Sequence, residues 1–165
     1  MTITQSTTTE ADATNGVAIR GTHGGGHDSL PATRHLLADA STAIAREPNR
    51  MGAWRMLGAA LEARKAFQTH MGLCRSRYGP LLHVAEERPW LRPTVDRILA
   101  EQDRILARLD DLIARAARNK GSSDDSTHDL RASAVHCDAA VAAYERRYHG
   151  LAFEWVNREI GGPGA

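Results

Sequence analysis

Aromatic residues are scarce in this chain, at 5% of 165 residues, and only two cysteines occur. Strands draw on aromatic and β-branched side chains, so a composition led by Ala, Leu, Arg and Glu favours helices instead. Cys74 and Cys137 lie too far apart in sequence to suggest a disulfide framework, and both are expected to be reduced thiols in a cytoplasmic setting. No uninterrupted run of about 18 apolar residues is present, and the opening MTITQSTTTEADATNG has neither the basic nor the apolar segment of a signal peptide. A membrane partner is therefore not expected. Charge of one sign is lacking too: 21 Lys and Arg face 20 Asp and Glu, a net +1, which argues against nucleic acid as a partner.

Residues 1–28, rich in Thr, Gly, Ser and Asp, lack apolar periodicity and read as a flexible leader; residues 29–165 read as one helical domain. Within the leader, His23 and His27 flank three glycines and could chelate a metal, but no further ligand is adjacent.

Four helices are predicted. Helix one runs from about Pro31 to Arg46, capped by Ser29, with Leu30, Thr33, Leu37, Ala40 and Ile44 inward. Helix two runs from about Asn49 to Tyr78, with Leu57, Ala60, Phe67, Met71, Cys74 and Tyr78 along one side. A loop with a short helical turn is expected over Leu81 to Arg92. Helix three, from Pro93 to about Arg118, carries the clearest stripe: Val95, Ile98, Leu99, Ile105, Leu106, Leu109, Leu112 and Ile113. After a polar break, Asn119 to Thr127, helix four runs from about His128 to Ile160, with Leu130, Cys137, Ala140, Val141, Tyr144, Tyr148, Leu151 and Trp155 inward. Long helices with short connections predict an all-α, antiparallel, up-and-down four-helix bundle.

Bundles place their chemistry between facing helices, so polar residues in positions meant for Leu or Ile are the candidates. Successive helical residues turn by about 100°, which puts Gln102 mid-stripe on helix three. By the same arithmetic Cys137, Tyr148, Leu151 and Trp155 fall within about 40° of Tyr144. On helix two, Cys74 lies within the stripe, and His70 falls about 70° from its centre, on the flank. A buried amide or phenol left without partners costs about 1–3 kcal/mol, so their convergence implies either a register-pinning network or a site.

The helix-three run Leu91 to Leu112 is similar to the hemerythrin-like (HHE cation-binding) family, in which a Glu-His pair begins a long Leu-rich helix; here the pair is Glu101-Gln102. Helix four, Tyr144-Glu145-Arg-Arg-Tyr148 through Glu159-Ile160-Gly161-Gly162, resembles the family's HExxE helix and its tail. Thr69-His70-Met71 with Cys74 resembles HFxxE. The resemblance covers helices two to four. It implies a hemerythrin-like bundle in which Gln102, Tyr144, Tyr148 and Cys74 replace metal ligands and His70 is kept. His35 precedes His70 at about the family's spacing, but the helix-one stripe lies about 100° or more away from it, which favours Thr33 or Leu37 as the inward positions.

Such a ligand set implies that the di-iron centre has been lost and that the cavity binds a small organic molecule. Tyr144, Tyr148 and His70 are candidate acid–base groups, with Gln102, Cys74, Phe67, Leu106, Leu151 and Trp155 lining the cavity. Cys74 could be a nucleophile only with a depressed pKa. No cofactor is expected; the alternative is a single Fe, Cu or Zn ion held by His70, Cys74, Tyr148 and His35. A non-catalytic scaffold is the bland reading, and a homodimer is left open.

Overall fold

Helix α1 spans Ser29–Arg46 in a computed structural model that describes residues 29–119 and 124–160. The leader with His23 and His27, the break at 120–123 and the terminal 161–165 lie outside the described residues, as do the side chains of 124–125 and 156–160. Ser29 is the first described residue, and Thr33 Oγ1 donates to its carbonyl at 2.7 Å. The buried face of α1 includes Leu30, Thr33, Leu37, Ala40 and Ile44, the predicted stripe.

Helix α2, Arg50–Arg75, starts at an N-cap that its sequence dictates. Asn49 Oδ1 accepts from the backbone N–H groups of Met51 and Gly52 at 2.8 and 3.1 Å, satisfying two donors that the first turn leaves open. The helix ends at Arg75, where Ser76 is extended, so Tyr78 lies beyond it and is 88% exposed. Its predicted place in the stripe is corrected accordingly. The expected loop after it is instead a helix, α3 (Pro80–Glu87), followed by a 3₁₀ turn at Pro89–Leu91. Pro80 presets the first turn, and Leu81, Val84 and Ala85 bury one face at helical spacing although HVAEER looks polar as a run. Helix α4 covers Arg92–Arg118 and α5 covers Asp124–Ile160, one turn earlier than predicted.

No strand occurs among the described residues, and no helix there is long and apolar enough to cross a membrane. Helix contacts close a ring in which α1 packs on α2 and α5, and α4 packs on the same two helices. Inside the ring lies a continuous core of Leu, Ile, Val and Ala side chains with Phe67, Met56 and Tyr144. Two seams are also tied by part-exposed ions: Arg34 of α1 pairs with Asp138 and Glu145 of α5, and Arg64 of α2 with Asp110 of α4. Pairs this exposed contribute about 0–1 kcal/mol each, so the buried apolar area carries the stability.

The corner between α1 and α2 depends on Gly52, where a Cβ would collide with the carbonyl oxygen of Glu47. Gly58, on the same helix, would place a Cβ in open space. Gly52→Ala is expected to destabilise the protein by about 2 kcal/mol or more through backbone displacement, whereas Gly58→Ala should stabilise it by about 0.5–1 kcal/mol. Urea denaturation of the two variants checks the opposite signs.

Candidate functional site

Three helices deliver polar side chains to one buried point. Tyr144 of α5 is the centre, with no solvent exposure, and Gln102 of α4 and His70 of α2 are equally enclosed, at 0% and 2%. Gln102 Nε2 donates to Tyr144 Oη at 2.8 Å. His70 Nε2 lies 2.8 Å from the same oxygen and 3.3 Å from Cys74 Sγ, one turn along α2. Phe67 sets its ring edge-on against Tyr144 at 5.8 Å, and Tyr148 stacks on Tyr144 at 6.1 Å and stands edge-on to His70 at 5.2 Å. Tyr148 is half-buried, at the margin of the cluster.

An amide's orientation has to be read from its partners. Arg75 Nε donates to Gln102 Oε1 at 2.9 Å, which turns the Nε2–H₂ group toward Tyr144. The same guanidinium donates to the Leu99 carbonyl at 2.8 Å and pairs with Asp103 at 2.7 Å. The His70 tautomer decides which of His70 Nε2 and Tyr144 Oη donates across their 2.8 Å contact. The sequence reading missed Arg75; the signal was available, because an amide held mid-stripe needs a donor for its oxygen as well as acceptors for its nitrogen.

His70 corrects the sequence reading in the other direction. It is buried rather than flanking, because Gly52, Met56 and Ala63 belong to the buried face while Leu57 and Tyr78 do not, which moves its centre by roughly 30° toward His70. Trp155 is not part of the cluster: its Nε1 donates to Glu87 at 3.3 Å and its ring meets His83 of α3. Angle on the wheel placed it correctly, but 11 residues at 1.5 Å each separate it from Tyr144 by roughly 16 Å along the axis. Leu151 is buried but lines a groove on the α4–α5 seam, and Leu106 is half-buried against the core. His35 is exposed, paired with Asp39 one turn on, and cannot join an interior ligand set. Thr33 and Leu37 are the inward residues of α1, as the wheel indicated.

Burial governs the proton affinities. It pushes the Tyr144 phenol far above its ordinary range, with the Cys74 sulfur adding to the shift, and it raises Tyr148 for the same two reasons. Burial also raises the Cys74 thiol, against hydrogen bonds with Tyr148, Tyr144 and Gln102 that pull the other way. Cys74 therefore lacks the depressed pKa that a nucleophile needs.

The donor set bears on metals. A bridged iron pair needs carboxylates, yet the buried polar residues described are Ser29, Thr33, His70, Gln102 and Thr127, with one imidazole and no Asp or Glu. These residues do not fit a di-iron centre. No group of three or more His, Cys, Asp or Glu is assembled among the described residues. A single ion could share His70 Nε2 and Cys74 Sγ, but its third donor would have to be a phenolate of Tyr144 or Tyr148, from groups that hold their protons tightly.

Cys137 belongs elsewhere, with Sγ 3.7 Å from the Arg108 carbonyl, and burial pushes it from 9.0 to about 11. Between those two values the folded thiol keeps a proton that the unfolded one has lost. Cys74 and both phenols act in the same direction. Stability is thus intact below pH 9 and is expected to fall as pH rises toward 11. Urea midpoints measured across that interval check it, and a flat profile would contradict proton retention by the buried groups.

No family model, no curated protein and no solved structure matches the chain, so what the site can do is argued from its own groups.

Proposed function

We propose that the chain is a hemerythrin-like, antiparallel up-and-down four-helix bundle whose interior binds a small organic molecule in place of a di-iron centre. Support for the architecture comes from the closed ring of contacts among α1, α2, α4 and α5 and from their short connections. The observation that carries the function is the convergence of His70, Gln102 and Tyr144 from three helices on one phenolic oxygen. An apolar layer there would pack without desolvating three polar groups, and polar groups directed inward from several elements are how ligand sites are built.

Tyr148 is the entry side, being the half-buried member of the cluster. A ligand entering beside it meets a phenol stacked on Tyr144 and the edge of His70, with apolar Phe67 behind. A neutral molecule with an aromatic or carbonyl portion suits these surroundings, because no buried carboxylate or ammonium among the described residues is available to pair with a charge. Acid–base work would fall to His70 and the two phenols, with Cys74 as an uncharged wall.

The contacts that join Tyr144 to Gln102 and His70 across three helices favour a second reading, a scaffold whose polar layer pins helix register. Tyr144→Phe and Gln102→Leu separate the two. If the layer serves a ligand, both variants keep or gain stability and lose a small molecule that native mass spectrometry detects on the purified wild-type protein. If the layer is structural, each variant loses about 1–3 kcal/mol and the wild-type mass equals that of the bare chain. Elemental analysis in the same preparation decides the mononuclear alternative: near-stoichiometric Fe, Cu or Zn would overturn the metal-free proposal.

A further inference from the structure

Outside the polar cluster, the seam between α4 and α5 opens into a groove of about 670 Å³. That volume lies within the roughly 300–1,000 Å³ typical of small-ligand sites. Ile98 of α4 and Leu151 of α5 lie beneath it, both buried, so the apolar surface it offers is mostly the methylene stems of its arginines. Four arginines line it against two glutamates. Arg147 and Glu101 neutralise each other in a two-pronged pair across the seam.

The other cations are differently placed. Arg97 donates to the Thr94 hydroxyl and Arg104 to the Ala100 carbonyl, both neutral acceptors, and Arg146 has no hydrogen bond or ion pair among the described residues. Three guanidinium groups thus stand against one remaining carboxylate, Glu154. Guanidinium groups are weakly hydrated, planar donors suited to carboxylate, sulfonate or phosphate oxygens, and several around one cleft concentrate their field there.

Gly150 keeps the groove open. It lies inside α5, where glycine costs about 1 kcal/mol relative to alanine, and a Cβ built there meets no atom within 4 Å. Packing does not require a bare Cα at this position, and a larger side chain would occupy the groove.

We propose that the α4–α5 groove is a binding site for an amphipathic organic anion, its acidic group held by Arg97, Arg104 and Arg146 and its apolar body laid along the methylene stems of the lining arginines, over the buried Ile98 and Leu151. The proposal does not rest on the interior cluster, since it uses none of His70, Gln102, Tyr144 or Cys74.

The probe is 8-anilinonaphthalene-1-sulfonate, an organic anion with an apolar body, titrated by fluorescence into the full chain. Its uncharged relative N-phenyl-1-naphthylamine is the control. Saturable one-to-one binding of the sulfonate is expected, weakened about tenfold or more by Arg104→Glu with Arg146→Glu and by Gly150→Leu, with the neutral probe binding at least about tenfold more weakly. Circular dichroism establishes that both variants stay folded, which their exposed positions permit. Sulfonate binding that survives either variant, or equal binding of the neutral probe, overturns the proposal.

Discussion

The hydroxyl of Tyr144 is the point on which the arrangement turns. It takes a hydrogen bond from the Gln102 amide at 2.8 Å and faces His70 Nε2 at the same distance, joining α5, α4 and α2 at one atom. Apolar layers resist separation of helices but tolerate sliding, because one Leu against another packs nearly as well a little further along. A hydrogen bond does not, since a shift of one residue, about 1.5 Å, breaks it, and a buried group left unpaired costs about 1–3 kcal/mol. Arg75 extends the constraint outward by orienting the amide and gripping the Leu99 carbonyl and Asp103 on α4.

From that constraint follows a division between interior and surface. The interior groups are neutral at ordinary pH: a phenol and a thiol with raised pKa values and an amide. Charges sit one residue away on the same helices, Glu101 beside Gln102 and Arg147 beside Tyr148, and there they pair with each other. A helix turns about 100° per residue, so neighbours in sequence serve different surroundings. The polar cluster and the basic groove are therefore adjacent along the bundle yet chemically separate.

Much of this was legible in the sequence, for reasons that particular residues show. The α1 stripe emerged because Leu30, Thr33, Leu37, Ala40 and Ile44 repeat at helical spacing with charged residues between them. Gln102 and Tyr144 emerged because each is a polar residue at the centre of an apolar stripe. His70 was misplaced because buried alanines and methionines, which define the α2 face, carry weaker patterning than Leu or Phe. Trp155 was misplaced because azimuth is readable from sequence and height along a neighbouring helix is not. Helix α3 escaped because only three of its eight residues are buried, and Arg75 because its partners lie on another helix.

The neutral interior also bears on the proposed kinship with metal-binding bundles. Several carboxylates and imidazoles crowded between helices repel or desolvate one another until an ion neutralises them, so folding in such proteins is coupled to metal. Here the described interior holds one imidazole, no carboxylate, and an amide and a phenol joined by a hydrogen bond. Among the described residues, that set holds no crowd of buried carboxylates that an ion would have to neutralise. On the proposed kinship, the amide at 102, the thiol at 74 and the phenols at 144 and 148 would stand where metal-binding relatives hold ligands, and each is a group that a neighbouring side chain can partner.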